Sequence, residues 1–159
     1  MPLLTYAPND HTSKVRWVLR SLDYNKELRI EQRITTLILA MATVESRNGT
    51  RTDGLSGEGG ALQWMPNTWK FYCFMFYGKE LSFSKENQDE VARKKVRMLI
   101  DKGFTNQEIA AFWNCGKPTW EGKVGINYLG VPFDVPAHVT KVMKAITNIK
   151  WREEVQSKR

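Results

Sequence analysis

Among the 159 residues only two are histidine and two are cysteine. A zinc site needs several His, Cys or carboxylate ligands at short spacing. His11 and His138 stand far apart and neither carries a paired-ligand pattern, so no metal is expected. Neither Cys73 nor Cys115 has a histidine signal near it, which argues against a cysteine nucleophile. Sequence alone does not pair the two cysteines; Cys73 lies in an apolar run, and two buried free thiols are the expectation. Internal repeats and low-complexity segments are absent. The apolar stretch at 37–44 is too short for a bilayer, so no membrane insertion is expected. The first ten residues, Met1 to Asp10, lack the charged start and long apolar core of a secretory signal. There is no nucleic-acid motif, and the basic residues are scattered rather than gathered.

What is present fits one compact domain over 1–159, with 1–10 and 152–159 as flexible ends. The net charge of +7 points to an anionic partner, or serves solubility alone. The coarse fold is all-α. His11 to Leu22 reads as a helix with Val15, Val18, Leu19 and Leu22 inward, and Glu27 to Ser46 as a second. Pro66 suits a first turn, so Asn67 to Tyr77 reads as a third, stopped by Gly78. Glu86 to Lys102 makes a fourth, with Val91, Val96, Leu99 and Ile100 apolar and Gly103 as its stop. Thr105 and Glu108 form a capping box for Asn106 to Trp113. The stretch 116–136 is rich in Gly and Pro and reads as mostly loop. Val135 to Trp151 is the last helix, with Val139, Val142, Met143 and Ile146 inward. No run of strands is convincing, though 48–60 has room for a small hairpin.

Glu45 is the residue most out of place. On the helix before it, Ile34, Ile38, Met41 and Glu45 share one face. A carboxylate therefore continues an apolar stripe, where desolvation disfavours its charged form and suits it to general acid work. The competing reading makes it the last polar residue of a fraying helix.

The residues that follow add weight. After Glu45-Ser46 comes a polar, glycine-rich loop, and then Ala61-Leu62-Gln63-Trp64-Met65-Pro66-Asn67-Thr68-Trp69. Here the chain resembles the lysozyme-like lytic transglycosylases, the superfamily of the soluble transglycosylases and goose-type lysozymes. In that family a catalytic Glu followed by Ser ends a helix, and a pattern close to G-A-x-G-L-M-Q-x-M-P-x-T-W follows. Gly57, Gly60, Gln63, Met65, Pro66, Thr68 and Trp69 match in register, while Glu58, Ala61 and Leu62 replace the usual Ala, Leu and Met. Ala111-Phe112-Trp113-Asn114-Cys115-Gly116 echoes the family's A-A-Y-N-A-G, and His138-Val139-Thr140-Lys141-Val142 echoes its Y-V-x-x-V. The matches run from about residue 34 to 146, in the family's order.

The resemblance implies a lysozyme-like fold and cleavage of the β-1,4 bond between N-acetylmuramic acid and N-acetylglucosamine in peptidoglycan, with no cofactor. Glu45 would be the single catalytic acid and then base, and the sugar's own C6 hydroxyl the nucleophile, giving a 1,6-anhydromuramic end. Gln63 and Asn114 would contact substrate, or tie the loop and Glu45 in place. Ser46 would reach the sugar or merely cap the helix, and Met65 would serve as wall and core together. Trp113 replaces a family Tyr and keeps only the stacking. His138 replaces a family Tyr near the Glu; Tyr128 is a substitute hydroxyl, and a plain surface role for His138 stays open. Trp64, Trp69 and Trp120 read as core or loop anchors, Trp120 being the candidate for an exposed ring. Asp53 and Glu58 lie in the loop that should border the cleft; Glu58 reads as a solvated loop acid or a contact to substrate amides, and the alternative, with either acid holding a water, would make the chain a lysozyme-type hydrolase. An inactive glycan-binding or structural virion domain is the non-enzymatic alternative. The expected partners are peptidoglycan glycan strands, without nucleic acid, and the protein is expected to be a monomer. Its expected place is the bacterial wall, whether periplasmic, extracellular or virion-associated, with a truncated chain or release of a phage lysin accounting for the missing signal.

Overall fold

A computed structural model describes residues 10–46 and 59–159. Among the described residues five helices and one two-stranded sheet are formed: α1 (His11–Ser46), α2 (Pro66–Tyr77), α3 (Lys85–Asp101), α4 (Asn106–Cys115), β1 (Val124–Ile126), β2 (Pro132–Asp134) and α5 (Val135–Ser157). None of these helices is long and apolar enough to cross a membrane. The chain divides into two compact units, Met1–Arg33 and Ile34–Arg159.

Two expected helices are one. The stretch between them, Leu22 to Lys26, holds neither Pro nor Gly, so nothing forces the helix to stop there. In the first unit Val15, Val18, Leu19 and Leu22 are exposed, at 45 to 59 %, and not inward as their spacing suggests. Among the described residues that unit holds only the first part of α1, with no second element to cover the stripe.

The second unit carries every buried side chain among the described residues. Ile34, Leu37, Ile38 and Met41 of α1 are all buried there. Burying such side chains contributes about 1.5–3 kcal/mol apiece. From α3 come Val91, Ala92, Val96 and Leu99, from α4 Ile109, Ala110 and Ala111, and from α5 Val135, Val139, Val142 and Ile146. Helix α4 packs on both α3 and α5, and α2 packs on α3.

Local chemistry sets the helix ends. Pro66 opens α2, and Gly78, at φ +69°, ends it with its N–H on the Phe74 carbonyl. Ser84 caps α3 by accepting the Asn87 N–H. Thr105 accepts the Glu108 N–H while the Glu108 carboxylate accepts the Thr105 N–H. Because this box closes the start of α4, Thr105→Ala is expected to cost about 1 kcal/mol. Chemical denaturation checks it, and an unchanged midpoint would mean that the cap contributes nothing here.

In the C-terminal third the stretch 116–136 is mostly loop, as expected, with one short hairpin within it: β1 and β2 pair antiparallel, Val124 opposite Asp134 and Ile126 opposite Pro132. Their turn is held by Asn127, whose side-chain oxygen accepts the N–H groups of Leu129 and Val131. One expectation is corrected: α5 does not end at Trp151 but continues to Ser157, so most of the tail expected to be flexible is helical. Both cysteines are free, but only Cys73 is buried. Cys115 closes α4 on its exposed side, and its thiol faces the Lys117 and Thr119 carbonyls.

Candidate active site

The site is built from the end of α1, the turn before α2, and the inner faces of α3 and α4. Glu45 follows Met41 by one helical turn on the buried stripe, and its side chain is 17 % exposed. It is covered by protein yet open to a ligand from one side. It borders a cavity of about 100 Å³ lined also by Gln63, Trp64, Met65, Thr68, Lys95, Trp113 and Asn114.

The turn at 59–64 is tightly fixed. Gly59 and Trp64 exchange both backbone hydrogen bonds, at 2.9 and 2.7 Å. Gly60 stands at φ +75°, a backbone conformation that selects glycine, while the Gln88 side-chain end that a Cβ would meet can swing aside. Gln63 has φ +50°, the one non-glycine residue with positive φ among those described. Backbone strain of this kind costs on the order of 1 kcal/mol and persists only where the surroundings enforce it. The Gln63 amide donates to the Gly60 carbonyl at 2.7 Å, and the Trp113 indole N–H donates to the Leu62 carbonyl at 3.2 Å. The second bond ties the turn to α4 across 51 residues of sequence.

His138 of α5 brings its Nε2 within 3.4 Å of Glu45 Oε1. The pair is not a salt bridge. His138 is 8 % exposed, and burial, with the Lys141 charge beside it, pushes its pKa down to about 4. Its imidazole is therefore neutral at pH 7, and Nε2 makes no aligned hydrogen bond. What faces Glu45 from α5 is a neutral ring in contact.

Lys95 is the residue that sequence reasoning missed. It sits on the buried face of α3, only 3 % exposed. Its ammonium lies 4.1 Å from the Trp113 ring centroid, 4.5 Å from Tyr72, 5.2 Å from Trp64 and 5.7 Å from Phe112. Desolvation draws its pKa down to about 7, while the Glu45 charge pulls the other way. The faces of these rings supply negative potential where water is excluded. The signal was available: position 95 falls on the stripe of Val91, Ala92, Val96 and Leu99. The run Arg93-Lys94-Lys95 disguised it as one more solvated base.

The structure thus brings Glu45, Gln63, Met65, Trp113 and Asn114 around one cavity, with His138 behind Glu45. Tyr128 is not part of that wall: it is 88 % exposed on the hairpin turn, where it has no access to Glu45. Its place follows from Asn127, which turns the chain outward just before it. Trp120 is half-buried and away from the cavity. Trp64 and Trp69 are buried, and Trp64 is also cavity wall. Asp53, Glu58, Gly57 and all but the last two residues of the possible hairpin over 48–60 lie outside the described residues, as does the Ser46 side chain. No cluster of His, Cys, Asp and Glu arranged to hold a metal occurs among the described residues. No family model, curated protein or solved structure matches this chain.

Proposed function

We propose that this protein is a peptidoglycan lytic transglycosylase of lysozyme-like fold, cleaving between N-acetylmuramic acid and N-acetylglucosamine. The observation that carries the reading is the position of Glu45. A partly covered carboxyl ends an apolar helix face and opens into a cavity that also gathers Gln63, Met65 and Asn114, side chains from two other sequence motifs.

The chemistry follows from that placement. Protonated Glu45 gives its proton to the glycosidic oxygen as the C1–O bond breaks and an oxocarbenium-like centre forms at C1. The resulting carboxylate then accepts the proton of the muramyl C6 hydroxyl as that oxygen bonds to C1. Glu45 ends protonated, as it began, and no water is consumed. The nucleophile belongs to the sugar, so one carboxyl suffices. Gln63 and Asn114 offer amides to hydroxyl and N-acetyl groups, and Trp113 offers an aromatic wall. Neutral His138 adds no positive charge of its own beside the cationic centre at C1.

The products test the reading. Digested peptidoglycan is expected to end mainly in 1,6-anhydromuramic acid, lighter by one water than a reducing end in mass spectrometry. A digest dominated by reducing ends would instead make the protein a hydrolase and direct attention to Glu58 or Asp53 as the group that activates water.

A further inference from the structure

Lys95 has no place in the reaction just described, yet it stands in the wall of the same cavity as Glu45. An ammonium buried among Trp64, Tyr72, Phe112 and Trp113 has given up its hydration for ring faces. A lysine retained on an otherwise apolar face at that cost needs a function that Met or Leu would not serve. No carboxylate lies within ion-pair distance of it among the described residues, but the Glu45 charge reaches it across the cavity.

We propose that Lys95 is a positioning residue of this site, whose boxed ammonium is electrostatically coupled to the Glu45 carboxyl, so that the ionised form of each group stabilises the ionised form of the other. The coupling makes Glu45 a readier proton donor, because the carboxylate left behind faces a cation held in low dielectric. It also sets the upper pH at which Glu45 still carries a proton to give.

The other described titratable groups that face the pair are few. From α5, His138 touches Glu45 but is neutral at pH 7, and Lys141 acts on His138. From α2, Tyr72 faces Lys95, and burial raises its hydroxyl pKa above the usual value, so it carries no charge there. From α4, Phe112, Trp113 and Asn114 do not titrate. The segment directly after α1 carries Arg47, Arg51, Asp53 and Glu58. A reciprocal measurement isolates the pair from all of these, since linkage requires each member to shift the other equally.

The experiment is NMR titration of selectively ¹³C-labelled protein, following the Lys95 Cε and the Glu45 carboxyl carbon. In Glu45→Gln the Lys95 midpoint is expected to fall by about one pH unit, and in Lys95→Met the Glu45 midpoint to rise by the same amount. Lys95→Met keeps an unbranched side chain and removes a buried charge, so its melting temperature at pH 7 is expected to rise. That gain shrinks as pH climbs from about 7 through 10.5, because above the unfolded value the wild-type lysine is neutral both folded and unfolded. If Lys95→Met fails to fold, the Lys95 midpoint in Glu45→Gln decides alone. Midpoints that stay in place overturn the proposal, and a melting change without them leaves Lys95 a purely structural residue. The functional consequence rests on the peptidoglycan reading: the alkaline limb of wall-lytic activity moves up with the Glu45 midpoint in Lys95→Met. Shifted midpoints with no lysis by the wild-type protein would refute that reading and leave the coupling standing.

Discussion

Glu45→Gln is expected to abolish clearing of purified cell walls while leaving the circular dichroism spectrum and melting temperature near wild type. Gln has the volume of Glu and its polarity, so the contact with His138 and the packing above Met41 persist. What it lacks is a proton to give. Positioned general acids and bases contribute about 100- to 10,000-fold in rate. In the proposed mechanism Glu45 serves in both steps, so the loss should lie toward the upper end of that range. Turbidity assays on isolated peptidoglycan, at matched concentrations of folded protein, measure it. A folded variant that lyses walls at the wild-type rate would remove Glu45 from the mechanism and with it the whole assignment. A wild-type protein that binds walls without lysing them points to the glycan-binding alternative.

The stripe that ends in Glu45 was legible because helix periodicity is a property of few residues at short range. Ile34, Ile38 and Met41 needed only spacing, and Thr105 with Glu108 needed only a three-residue box. The limits of α2 were equally local, a proline at one end and a glycine at the other. Long-range facts were not legible in this way. That Trp113 reaches the Leu62 carbonyl, or that Lys95 sits among four rings from α2, α4 and the preceding turn, depends on how helices meet. The strands β1 and β2 have three residues each, too few for a period of two to emerge against Gly125 and Pro132. The exposed stripe of Val15, Val18, Leu19 and Leu22 shows the reverse error: periodicity marks a face, and does not say that anything covers it.

Lys95 and Glu45 break the same local rule, each placing an ionisable group on a helix face that is otherwise buried. Such violations are expected at sites that do chemistry, where stability is given up for a placed charge. Two in one cavity are harder to explain by chance than one. The same logic separates His138 from them: it is buried beside Glu45, but its neutral ring adds contact and no charge.

The turn and the cavity depend together on Trp64, and Trp64→Ala is expected to produce the largest loss of stability of any single change at the site. The side chain is 3 % exposed and packs edge-on against Trp69, Tyr72 and Trp113 at centroid distances of 5.5, 6.2 and 5.0 Å. Truncating a buried Trp costs about 3–5 kcal/mol, because transfer and cavity penalties add. For a domain of this size that is a fall in melting temperature of roughly 10 °C or more. The indole N–H has no hydrogen-bond partner among the described residues, so the ring rather than the N–H is what matters. Trp64→Phe should therefore recover more than half of the loss. Activity should follow in the same order, since Trp64 is held by Gly59, walls the cavity beside Glu45 and covers Lys95. Thermal unfolding of the two variants followed by circular dichroism decides it. If Trp64→Ala melts within a few degrees of wild type, the aromatic cluster is not what holds the 59–64 turn, and the geometry of the site must rest on the Trp113 tie to Leu62 instead.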